Sequence, residues 1–156
     1  MRQRKNTRSW YFDVGMLIEY FLENASGGRK YTVTAPINLF YAMHEALRLA
    51  TEKTAAQREL EHETAHRYLL KGLTKYGSTL IPKPECSTYT LNCVTVPSGV
   101  DEAVLRRRLL LEHSIEIGGG IGQLAGKVLR IGTMGPIGTD LASIDRLLEA
   151  MGKIIC

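Results

Sequence analysis

Residues Val94 to Gly135, "VTVPSGVDEAVLRRRLLLEHSIEIGGGIGQLAGKVLRIGTMG", decide what fold this chain can take. The stretch opens in β-branched residues that stop at Pro97 and Gly99, the composition of a strand running into a turn. A helix follows over about Asp101 to His113. "SIEI" (Ser114 to Ile117) predicts a strand, "GGGIGQLAG" a glycine loop, and "KVLRIGTM" (Lys127 to Met134) a further strand before a turn at Gly135 to Gly138. Strand, helix, strand and strand within so few residues cannot build a doubly wound sheet with both faces covered.

Upstream, "YTLNCVTVPSG" and "STLIPKP" read as strands, because Thr90, Val94, Thr95 and Val96 are β-branched and Pro82 and Pro97 mark ends. A helix from about Thr54 to Tyr76 places Leu60, Leu69, Leu70 and Leu73 at helical spacings and ends at Gly77. Another starts at Pro36 and carries Ile37, Phe40, Tyr41, His44 and Leu47 at three-to-four spacing to about Thr51. "ENASGGRKYTVTAP" breaks the chain before it. Downstream, a last helix sets Leu141, Ile144, Leu147, Leu148 and Met151 on one side and stops at Gly152. The expected architecture is α+β, two layers: an antiparallel or mixed sheet of three to four strands with helices on one face.

Composition sets outer bounds. The 156 residues are 44% hydrophobic and 23% charged, ordinary for a globular protein. The net charge of +4 is concentrated at Arg2 to Arg8 and Arg106 to Arg108, leaving no continuous basic face for nucleic acid. Cys86, Cys93 and Cys156 are odd in number and lack C-x-x-C spacing, so neither a disulfide framework nor a cysteine metal site is expected. A reducing setting is expected, the cytoplasm or an organelle. No apolar run approaches about 18 residues, so neither a signal peptide nor a membrane span is expected. The terminal "KIIC" does not match a peroxisomal tail.

Two motifs imitate functional sites. "HETAH" (His62 to His66) fits the zinc pattern H-E-x-x-H, with both imidazoles on one helical face and Glu63 as base. However, Arg58, Glu59, Glu61 and Arg67 crowd the same turns, and no third ligand follows at the required spacing. The expectation is a solvated helix face carrying two histidines, with no metal and little effect of removing them. "GIGQLA" (Gly120 to Ala125) fits a dinucleotide fingerprint, with Asp140 downstream, but Gly126 interrupts it and a strand rather than a helix follows.

Taken together, "TAPINLFYAMHEAL", "VPSGVD", "IEIGGGIG" and "GKVLRIGTMG", in this order and spacing, resemble the C-terminal part of class V pyridoxal-phosphate aminotransferases of the alanine-glyoxylate and serine-pyruvate type. The resemblance covers nearly the whole chain. It implies a segment, residues 1–35, leading out of a large domain, then a C-terminal small domain, residues 36–156, of a fold-type I homodimer. It implies that Arg130 binds the substrate α-carboxylate. Tyr31 and Thr34 are expected to reach the neighbour's cofactor phosphate. The substrates implied are an amino acid, alanine or serine, and a 2-oxo acid, glyoxylate or pyruvate. The family's cofactor lysine lies upstream of the matched region, and Lys5, Lys30 and Lys127 stand in the wrong motifs to replace it. The isolated chain is thus expected to be inactive, a fragment or one part of a split enzyme needing a large-domain chain. None of the three cysteines matches the nucleophile loop of the related cysteine desulfurases. The rival expectation is a noncatalytic dimerisation or binding module derived from the same domain.

Overall fold

The computed structural model describes residues 9–16, 18 and 34–155, which divide between two units, Met1–Glu52 and Lys53–Cys156. In the first unit, helix α1 (Ile37–Thr51) follows Pro36 and buries none of its residues. Arg48 bonds Glu45 at 2.7 Å and Glu52 at 2.6 Å along its surface. The first of these contacts holds the Glu45 carboxyl below its usual range. Such exposed pairs add little to stability.

The second unit holds the sheet. Helix α2 (Ala55–Thr74) starts in a capping box: Thr54 Oγ1 accepts the Gln57 amide at 3.2 Å and Gln57 Oε1 accepts the Thr54 amide at 2.8 Å. Two of the donors that a helix start leaves without partners are thereby satisfied. Past its end, Gly77 takes φ of 81° and Ser78 N–H donates to the Leu73 carbonyl at 3.2 Å, closing the last turn through a left-handed residue.

Strand β1 (Leu91–Thr95), helix α3 (Glu102–His113), strand β2 (Gly118–Gly119) and strand β3 (Val128–Gly132) follow, and then α4 (Gly135–Thr139) and α5 (Leu141–Ile155). The sheet is antiparallel throughout, in the order β1-β3-β2. Val94, Leu129 and Ile131 meet Leu69 and Leu73 of α2, Leu105 and Leu109 of α3, and Ile144 and Met151 of α5 in a single core. Side chains alternate across a strand. Leu91, Cys93 and Arg130 therefore belong to the opposite face and retain exposure. This is the expected two-layer α+β arrangement, with three strands.

Several elements differ from expectation, each for a local reason. Ser114 adopts a left-handed φ of 55°, and the Ser114 and Ile115 amides return to the Leu110 and Leu109 carbonyls. "SIEI" therefore serves first as the cap of α3, and pairing begins only at Gly118. "STLIPKP" forms a bridge at Leu80 opposite Val94 and gives way to a 3-10 turn at Pro84–Cys86, since prolines donate nothing to a ladder. The segment after Met134 closes into α4, one short helix, rather than a plain turn.

Gly152 does not stop the last helix, which runs on to Ile155. A Cβ there would lie 2.7 Å from the Tyr76 hydroxyl, so the glycine serves close packing. Gly72 of α2 does the same against Leu148 of α5, where a Cβ would overlap the leucine side chain. Gly72→Ala is expected to lower stability by about 1–3 kcal/mol through overpacking, despite alanine's better helix propensity. Thermal unfolding measures it, and an unchanged or raised Tm would show that the α2–α5 contact yields freely.

Candidate substrate-binding site

Arg130 occupies the middle of the central strand, opposite Cys93 of β1 on one side and Gly118 of β2 on the other. Its backbone is fixed by two neighbours, and Leu129 and Ile131 anchor the strand from the core face. The guanidinium is half-buried, and its Nε–H donates to the Gly119 carbonyl at 2.6 Å. A Cβ on Gly118 would lie 3.4 Å from Nη2 and 3.5 Å from Nε, so the bare glycine borders the space in which the side chain lies. Among the described residues no carboxylate pairs with Arg130. No structural ion pair among the described residues explains this strand arginine, and no hydrogen bond of its two Nη groups is seen among them. Planar paired donors match both oxygens of a carboxylate.

Of the other expected site residues, Thr34 is exposed two positions before the N-cap of α1, where no side chain caps the helix. A hydroxyl beside uncapped helix amides suits a phosphate. Tyr31 lies outside the described residues, as do Cys156 and the basic cluster at Arg2 to Arg8. Arg130 and Thr34 belong to different units.

The "HETAH" segment requires a correction. His66 is buried, with 6% exposure, and its Nδ1 lies 2.6 Å from Asn92 Oδ1. Asn92, fully buried in β1, donates through Nδ2 to the Ile131 carbonyl at 3.2 Å and to Thr133 Oγ1 at 3.1 Å. Because a carbonyl only accepts, the amide orientation is fixed, so His66 Nδ1 carries the proton and donates. Thr133 Oγ1 in turn donates to the Tyr89 carbonyl at 2.8 Å, and the Tyr89 ring stands 5.4 Å from the imidazole. His62 is half-buried, its Nδ1 covered and without a hydrogen-bond partner among the described residues. The histidines thus belong to the packed side of α2 and not to a solvated face. Among the described residues no group of three His, Cys, Asp or Glu side chains is placed to hold a metal. At "GIGQLA" the chain makes a 3-10 turn, Gly122–Leu124, and then enters β3, so no helix N-terminus opens there.

Comparison with known proteins places this geometry in a lineage. No family model matches the chain. Its sequence is 36% identical over 128 residues to the (S)-ureidoglycine–glyoxylate transaminase of Bacillus subtilis (strain 168), covering 80% of the chain and 29% of that protein. It is 35% identical over 149 residues to the alanine–glyoxylate aminotransferase of Callithrix jacchus, covering 94% of the chain and 35% of that protein. The crystal structure of an alanine–glyoxylate aminotransferase from Nostoc sp. superposes with a TM-score of 0.87 at 40% identity, covering 99% of the chain and 40% of that structure. The chain is a homologue of the class V aminotransferases. It spans 29% to 40% of the length of these three aminotransferases.

What the sequence alone did not reveal about Arg130 is its tether to Gly119. A main-chain carbonyl leaves no side-chain signature, and the strand that presents it consists of two glycines. The signal available was the glycine pair itself, since glycine in a strand marks the close approach of another group.

Proposed function

We propose that the chain is the C-terminal part of a pyridoxal-phosphate-dependent aminotransferase that moves an amino group from alanine or serine to glyoxylate or pyruvate. Glyoxylate is the favoured acceptor because the names of the Bacillus subtilis and Callithrix jacchus relatives carry it. The observation that carries the reading is Arg130, tethered through Nε, half-buried, and without a carboxylate partner among the described residues. In this reading its two Nη groups grip the substrate α-carboxylate and hold the Cα–H bond in one orientation for proton removal. Pyridoxal phosphate, when bound, supplies the electron sink for charge developing at Cα. Thr34 and Tyr31 would contact the cofactor phosphate in a neighbouring copy, making the working unit a homodimer. The exposure of Thr34 beside the uncapped start of α1 fits that role.

The cofactor lysine would come from a large domain outside this sequence, in keeping with the fraction of the relatives' length that the chain spans. No helix among the described residues is long and apolar enough to cross a membrane. The rival reading, a noncatalytic binding module, gives no role to a central-strand arginine that has no carboxylate partner among the described residues.

Two assays test the proposal together. The chain joined to the large domain of a similar enzyme is expected to transfer the amino group of alanine or serine to glyoxylate. The 156-residue chain alone, with added pyridoxal phosphate, is expected to show no turnover and to retain no cofactor after borohydride reduction. Turnover by the chain alone, with cofactor fixed onto it, would overturn the division of labour. An inactive but correctly folded fusion that retains its cofactor would favour the binding module.

A further inference from the structure

The geometry points to Glu102 as a positioning residue for Arg130, acting through Gly119, an inference that rests on Arg130 being the carboxylate-binding residue. Because Nε–H is committed to the Gly119 carbonyl, the side-on fork that combines Nε with one Nη is closed to substrate. The carboxylate must be met end-on by Nη1 and Nη2. The direction of that fork then depends on where the Gly119 carbonyl stands.

Gly119 ends a two-residue edge strand and pairs with Leu129 on one side. On its α side stands Glu102. The position a Cβ would take on Gly119 falls on the Glu102 carboxylate, with Arg106 Nε 3.0 Å from the same point. Glu102 is buried at 8% exposure and pairs with Arg106 one turn along α3. Asp101 fixes the start of that helix by accepting the Val104 amide at 2.9 Å. A continuous set of contacts therefore runs from the cap of α3 through the Glu102–Arg106 pair to the Gly119 backbone and on to Arg130 Nε. A carboxylate is costly to bury even when paired, and an apolar side chain would fill the same space. Its contribution here is placement: it abuts a backbone that has no side chain and keeps the carbonyl turned toward the guanidinium.

The test is carried out on the complete holoenzyme, comparing kcat/KM for alanine with kcat/KM for ethylamine, which lacks the carboxylate. The ratio reports carboxylate recognition, whereas a general loss of structure lowers both values alike. Glu102→Ala is expected to reduce the ratio by about tenfold, as modest misplacement of a binding group does. Glu102→Gln, which keeps the shape and an oxygen for Arg106, is expected to stay near the wild-type ratio. Gly119→Ala, which forces Glu102 aside, is expected to match Glu102→Ala and serves in its place if that variant does not fold. Arg130→Ala separates the two levels of the argument. If it collapses the ratio while Glu102→Ala and Gly119→Ala do not, the positioning role is refuted and the reading of Arg130 stands. If Arg130→Ala leaves the ratio unchanged, both fall.

Discussion

Arg130→Ala in the complete holoenzyme is expected to lower kcat/KM for the amino-acid substrate by about tenfold to more than a hundredfold, with cofactor retention unchanged. A charged hydrogen bond of this kind contributes about 1.5–3 kcal/mol, and removing one side leaves the carboxylate facing a site stripped of its partner. Arg130→Lys keeps the charge and is expected to recover little, because an ammonium cannot present two parallel donors and cannot reproduce the Nε contact with Gly119. Thr34→Ala is expected to do the reverse, weakening retention of pyridoxal phosphate while sparing discrimination among amino acids. Steady-state kinetics and cofactor titration read both. Loss of cofactor from Arg130→Ala, or amino-acid kinetics left unaltered by it, would show that the assignment of Arg130 is wrong.

The second large effect concerns stability. His66→Ala is expected to destabilise the second unit by about 2–4 kcal/mol, from a cavity in place of a buried ring and from an Asn92 oxygen left without its donor. His66→Phe refills the volume and leaves the oxygen unpaired, so it should still cost about 1–3 kcal/mol. His62→Ala is expected to cost less than His66→Ala, since His62 is half-buried and its Nδ1 has no hydrogen-bond partner among the described residues. Denaturant unfolding of the three variants gives the ordering. Equal stability for His66→Ala and the parent would place the histidine on the solvated face that the sequence alone implied.

That misreading of α2 shows where sequence patterning fails. Arg58, Glu59, Glu61 and Arg67 make the turns around "HETAH" read as a solvated face, and the pattern groups Leu60 with Leu69 and Leu73. At about 100° per residue, the nine positions from Leu60 to Leu69 turn the helix by about two and a half turns, which puts them on opposite sides. Leu60 is accordingly 63% exposed, while His66 lies on the packed side with Leu69 and Leu73. A histidine in a core is invisible to hydropathy when its partner, Asn92, is twenty-six residues away on a strand.

The layers themselves were legible, because Asp101 and Asp140 mark the starts of α3 and α5 and both β1 and β3 carry β-branched residues. The edge strand was not, because two glycines have no strand propensity and pair only because β3 offers a free edge. Arg130 was accessible only through the resemblance: nothing in "KVLRIG" by itself distinguishes a ligand-binding arginine from one in an ion pair. The structure adds the physical content, a tether to a main-chain carbonyl and the lack of a carboxylate partner among the described residues.

A crystal structure of the complete protein with pyridoxal phosphate and an unreactive, carboxylate-bearing analogue of alanine bound would test the role of Arg130 most directly. The expected result is the analogue's carboxylate held end-on by Arg130 Nη1 and Nη2, with Nε still on the Gly119 carbonyl. A carboxylate bound elsewhere, or Arg130 paired with an Asp or Glu of the large domain, would contradict it.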